Sequence, residues 1–142
     1  MLNAKSIMKT AVHVAKPGET VQNVVVRLGQ EKVSGLPVVD EAGCIIGVIT
    51  ELDLLRAYRD NRSDQLIGQL MKTDVITVSE DTMLDQIVDL FLAKGIRRVF
   101  VVHDEEMLGV ISCRDLVSSS QIRKQVSAFA CYLRPSMSEV SP

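Results

Sequence analysis

One phrase occurs twice in this chain, and the repetition limits the folds open to it. GVITELDL spans residues 47–54 and GVISCRDL spans 109–116; both read glycine, two aliphatics, a hydroxyl residue, two variable residues, aspartate and leucine. The match extends upstream. IMKTAVHV (7–14) stands against LMKTDVITV (70–78), each with Met-Lys-Thr leading into a β-branched run that reads as a strand. Val21, Val24, Val25 and Leu28 fall at i, i+3, i+4, i+7, and Leu84, Ile87, Val88 and Phe91 repeat that spacing, so each half carries one apolar helical stripe. Thr82 and Asp85 read as a capping box at the second helix; Pro17 and Gly18 mark the start of the first.

A hairpin follows in each half. VSGLPVVD (33–40) and IRRVFVVH (96–103) are strand-like and end in the polar turns Glu41-Ala42-Gly43 and Asp104-Glu105-Glu106. CIIGVIT (44–50) and MLGVIS (107–112) read as buried strands that run into second helices near 51–59 and 113–120. The expected fold class is therefore α/β (α+β): two β-α-β-β-α motifs, residues 1–62 and 63–120, related by a pseudo-twofold and packed as one disc-like module. A sixty-residue unit buries little of its own surface, so the copies must share a core. Residues 121–142 form a third segment. Ile122, Val126, Phe129 and Leu133 give the stretch 119–133 an apolar helical stripe, expected to pack on the module or on a twin subunit, and the end reads as disordered.

The bulk numbers exclude several classes. With 142 residues, 46% apolar, the chain can build a core; a net charge of −2 gives no general pull toward nucleic acid or a membrane surface. No apolar run reaches the roughly 20 residues of a membrane span, and the start lacks a signal-peptide pattern, so a cytoplasmic location is expected. Cys44, Cys113 and Cys131, an odd number without metal-ligand spacing, read as free thiols. His13 and His103 lie in different halves with no nucleophile pattern beside them, and there is no glycine-rich phosphate loop. Neither a catalytic residue nor a metal site nor a required cofactor is expected.

The doubled unit resembles a pair of cystathionine-β-synthase-type (CBS) domains, a Bateman module, of the stand-alone bacterial kind. The residues that carry the resemblance are VSGLPVVDEAG and IIGVITELDLL in the first half and GIRRVFVVHDEEMLGVISCRDL in the second, with the two Met-Lys-Thr segments, over about residues 5–118. The resemblance implies two clefts about the pseudo-twofold that bind adenosine nucleotides and report them to a partner. It places Asp53 and Asp115 on a ribose, where a carboxylate accepts from adjacent hydroxyls, and Thr50 and Ser112 at phosphate seats on helix N-termini. One cleft would join Ser112 and Asp115 to Thr10, Val12, Val33, Ser34, Gly35, Pro37 and Arg98. The other would join Thr50 and Asp53 to Thr73, Val75, Ile96 and Arg97. Arg97-Arg98 resembles the basic pair with which nucleotide-sensing members of the family grip phosphate, and Arg98 could serve either cleft. Phe100, opposite Pro37 in the repeat, could fill the second cleft or stack on a base.

Two other readings stand beside this one. Ser or Thr followed three residues later by an acid is also a plain helix start, and Gly35-Leu36-Pro37 could merely shape a strand. A ligand-free dimerisation module would show the same repeat. The expected ligand is AMP, ADP or ATP, with S-adenosylmethionine or a dinucleotide as alternatives. The expected partners are a second copy and a regulated protein whose identity the residues do not reveal.

Overall fold

The computed structural model describes residues 2–127. The elements, in order, are α1 (Ala4–Ile7), α2 (Val21–Glu31), β1 (Gly35–Val39), β2 (Ile45–Thr50), α3 (Glu51–Arg59), β3 (Thr77–Ser79), α4 (Leu84–Lys94), β4 (Arg98–His103), β5 (Glu106–Ser112) and α5 (Cys113–Val117), with a single 3-10 turn at Ile67–Gln69. Residues 120–127 are helical as well. Strands β1 and β2 form an antiparallel hairpin; β3, β4 and β5 form a three-stranded sheet in that order, with β3 parallel to β4. Both hairpins carry the same register shift, between Val38 and Val39 and between Val101 and Val102.

Each half has its own apolar cluster. Val21, Val24 and Leu28 of α2 pack with Leu36, Val38, Ile49 and Leu54; Leu84, Ile87 and Phe91 of α4 pack with Val99, Val101, Ile111 and Leu116. Val25, the fourth member of the first stripe, faces out at 49% exposure, whereas Val88 is half-buried against the second cluster. The hairpin turns differ in chemistry. Gly43 closes the first at φ +85°, with Asp40 Oδ1 accepting from the Ala42 and Cys44 amides. The second places Asp104 and Glu105 at φ +49° and +69°, the positive-φ pair that a two-residue turn demands.

The segments that lead into the repeats do not form the strands their β-branched runs suggest. Lys9 pairs with Val110 of β5, in the second half, while Ala15 pairs with Val38 of β1, in the first. Residues 10–14 thus pass from one sheet to the other and have no continuous partner. The second lead-in mirrors this: Lys72 pairs with Val48 of β2, and only Thr77–Ser79 then joins β4. The exchange extends to the cores. Ala4 is fully buried in the second cluster, with Leu2, Ile7 and Met8 against it; Ile67 is fully buried in the first, with Leu70 and Met71 against it.

Helix starts follow local chemistry. Thr20 caps α2, its side chain accepting from the Asn23 amide. At α4 the box expected from Thr82 and Asp85 is not formed. Met83 is the N-cap, its amide donating to Gln86 Oε1 at 3.0 Å, and Thr82 Oγ1 accepts from the Ser79 amide. The lead-in sets this start, because Asn3 pairs with Met83 and the Leu84 amide donates to the Leu2 carbonyl. Of the C-terminal stripe, Ile122 packs on the second cluster and Val126 is 61% exposed; Phe129, Leu133, Cys131 and the end of the chain lie outside the described residues.

The glycine of the repeated phrase admits the exchange. A Cβ on Gly47 would lie 2.5 Å from Met71 Sδ and 2.9 Å from the Lys72 carbonyl; one on Gly109 would lie 2.7 Å from the Lys9 carbonyl and 2.9 Å from Met8 Sδ. Gly47→Ala and Gly109→Ala should each destabilise the fold by about 1–3 kcal/mol, as overpacking against backbone does. Gly29, inside α2 with nothing within 4 Å of its Cβ position, is the control: Gly29→Ala should stabilise by about 0.5–1 kcal/mol. Denaturant midpoints check both, and an unchanged midpoint for Gly47→Ala would sink the packing argument.

Candidate functional site

The repeated phrase first does structural work. Thr50 Oγ1 accepts from the Asp53 amide at 3.4 Å, and Asp53 Oδ2 accepts from the Thr50 amide at 2.9 Å and its hydroxyl at 2.8 Å. Ser112 and Asp115 reproduce the box, with Ser112 Oγ and Asp115 Oδ2 each accepting at 3.1 Å. Both boxes satisfy helix amides that would otherwise be orphaned.

The two acids differ in their remaining oxygen. Asp53 is buried, and its Oδ1 accepts from Arg56 Nη1 at a long 3.5 Å. Asp115 Oδ1 pairs with Lys9 Nζ at 2.9 Å. Burial alone would raise the Asp115 pKa, but the Lys9 ammonium and the hydrogen bonds from Ser112 outweigh it and hold the carboxyl below its ordinary value.

On the Thr50 side, a cavity of about 450 Å³ lies at the seam between the repeats. Thr50, Val75, Ile96 and Arg97 line it, as expected for that cleft. So do Ser34 and Gly35, which were expected in the opposite one, and Arg98, which was grouped with them but could serve either. Arg98 is turned this way by its Nη2, which donates to Ser34 Oγ at 3.0 Å. Phe100 is buried and forms part of the wall. Lys72, Asp74 and Glu51 complete the polar lining. Sequence reasoning missed these three, although Lys72 stood in the duplicated Met-Lys-Thr. Among the described residues, Lys72, Arg97 and Arg98 form no ion pair. Asp53 is not among the lining residues, and Thr73 faces a separate cavity of about 220 Å³ with Thr77 and Glu105.

On the other side, Asp115 lines a cavity of about 630 Å³ with Lys9, Arg114, Ser6 and Ser118. None of the residues expected to share its cleft lines that cavity. Thr10 is exposed and Val12 half-buried. Val33 borders an apolar groove between α2 and α3. Pro37 is buried in β1, and Ser112 pairs with Arg98 in the ladder. The described residues contain no cluster of three or more potential metal ligands and no helix long and apolar enough to cross a membrane.

The CBS domain family model matches residues 4–60 and again 67–121. This chain belongs to the CBS domain family and carries two such domains in tandem. It is 30% identical over 111 residues to an Acidianus ambivalens protein described as an uncharacterized 17.7 kDa protein in the bps2 3' region, covering 78% of this chain and 68% of that one. Among solved structures it is similar to CBSX2 in complex with AMP (TM-score 0.76, 26% identity, 89% of this chain and 99% of that chain). It is also similar to the CBS domain pair of MJ0100 in complex with 5'-methylthioadenosine and S-adenosyl-L-methionine (TM-score 0.71, 27% identity, 81% and 92%).

The Asp115 ion pair has a pH signature. A carboxyl whose folded pKa is depressed contributes stability above its unfolded pKa, about 3.9, and loses it as pH falls through the folded value. The stability difference between the wild type and Asp115→Asn should be full near pH 7 and shrink below about pH 4. Thermal melts of both proteins across that range check the expectation; a gap that widens in acid would refute it.

Proposed function

We propose that this chain is a regulatory module that binds an adenosyl ligand in the cavity beside Gly35, Thr50, Arg97 and Arg98. AMP, ADP or ATP is favoured over S-adenosylmethionine. The observation that carries the reading is the cavity's chemistry: two arginines and a lysine that form no ion pair among the described residues, beside the capped start of α3. Arginine forks suit phosphate, and a helix start favours an anion. Gly35 is held to glycine by the fold itself, since a Cβ there would lie 2.9 Å from the Ile49 carbonyl oxygen. The volume falls within the range of about 300–1,000 Å³ typical of small-molecule sites. The complexes of CBSX2 with AMP and of MJ0100 with methylthioadenosine and S-adenosylmethionine support an adenosyl class. The role is binding rather than catalysis, with the signal passed to a partner protein or through oligomer state.

Calorimetric titration of nucleotide-stripped protein with AMP, ADP, ATP, GTP and S-adenosylmethionine tests this. Adenine nucleotides should bind, and Arg97→Ala/Arg98→Ala should weaken them at least tenfold, since contacts to charged groups contribute about 1.5–3 kcal/mol each. Heat-free titrations across the panel would defeat the reading.

A second copy is the proposed protein partner. Val25, Val26, Leu55 and Tyr58 are 49–74% exposed along the groove between α2 and α3, an apolar face of the kind that homodimers bury. Leu55→Glu should shift the sedimentation coefficient from dimer to monomer while the melting temperature of the monomer stays near its starting value. A wild type that sediments as a monomer at all concentrations would remove this partner.

A further inference from the structure

The repeats are near-copies, yet their lead-in lysines do different things. Lys9 and Lys72 are clamped identically by backbone pairs: Lys9 to Val110 at 2.9 and 3.0 Å, Lys72 to Val48 at 2.9 and 2.8 Å. The Lys72 side chain lines the open cavity with Arg97 and Arg98. The Lys9 ammonium instead sits on Asp115 at 2.9 Å. One residue accounts for the difference. In the first half Arg56, three positions after Asp53 on α3, reaches back to that acid. The equivalent place after Asp115 is Ser118, at the end of α5, which is too short and uncharged to do so. Asp115 therefore recruits its cation from the lead-in segment.

We propose that Lys9 is a built-in competitor for Asp115, so that the chain binds one adenosyl ligand tightly, in the cavity of Arg97 and Arg98, and a second one on the Asp115 side only by displacing the lysine. The proposal rests on the adenosyl reading above. A ligand hydroxyl approaching Asp115 Oδ1 meets an oxygen that already accepts a charged donor. Asp115 retains 17% side-chain exposure, so the oxygen is reachable, while the Lys9 side chain is 69% exposed and free to swing into water. A pair that solvated is a modest barrier: displacement should weaken the second binding event by about fivefold, and no more. Both arginines line the first cavity, which leaves the Asp115 side with fewer anion contacts and adds to the ranking.

The experiment is calorimetric titration with AMP and with ATP on the full chain, for the wild type and the variants Lys9→Met, Lys9→Arg, Ser118→Arg and Lys72→Met. Lys9→Met keeps the apolar stem and removes the charge; it should strengthen the second event about fivefold and leave the first within twofold. Lys9→Arg keeps a competing cation and should leave the second event weak. Ser118→Arg adds a second cation beside Asp115, as Arg56 stands beside Asp53, and should likewise leave the second event weak. Lys72→Met should weaken the first event alone. Two equal sites in the wild type, or a second event that Lys9→Met does not strengthen or that Lys9→Arg strengthens equally, would overturn the competitor role while leaving the adenosyl reading intact. No binding of either nucleotide to any of the proteins would overturn the reading and the competitor role together.

Discussion

The fold depends on a close approach between chain segments that are far apart in sequence. Met8-Lys9 crosses the backbone of Gly109, and Met71-Lys72 crosses that of Gly47, at distances that leave no room for a Cβ. Each crossing fixes a lysine by two backbone hydrogen bonds, places a methionine over the sheet and delivers a fully buried apolar residue, Ala4 or Ile67, into the other half's core. The capped helices α3 and α5 then start at the end of the same strands. The cavity at the seam is walled on one side by the second crossing and on the other by the ends of the hairpins.

Much of this was legible in the residues because the chain is written twice. Helix stripes, hairpins and the boxes at Thr50 and Ser112 are local patterns, and each is written a second time about 62 residues on. The lead-in exchange was not legible. The runs after Met-Lys-Thr have β-branched residues suited to a strand, but a strand needs a continuous partner, and only tertiary placement reveals that residues 10–14 span two sheets. The N-cap at Met83 escaped for the same reason: Thr82 has the right chemistry, but the pairing of Asn3 with Met83 moves the helix start by one residue. The site was half legible. Thr50, Val75, Ile96 and Arg97 lie together as expected, yet Arg98 joins them because of a side-chain bond to Ser34 that no spacing encodes.

The pseudo-twofold is a symmetry of backbone more than of charge. Arg97 and Arg98 occupy the places that Ser34 and Gly35 hold in the first repeat, and Phe100 that of Pro37. Charge and lining together therefore separate the two sides of the pseudo-twofold. The amide-to-side-chain capping bonds between Thr50 and Asp53 and between Ser112 and Asp115 form in both repeats, although different cations stand beside the two acids.

The exchange of lead-in segments also governs the order in which this chain can fold. Synthesis delivers α1 before the second repeat, but the cluster that buries Ala4 and the pairing of Lys9 with Val110 exist only when residues near 110 have emerged. The first core in turn waits for Ile67, which lies beyond α3. Neither half can therefore close early and act as a template for the other. The long sequence separation of these contacts raises the entropy of loop closure that must be met before any core forms. Because each lead-in contributes to the opposite core, loss of packing in one half removes contacts from the other.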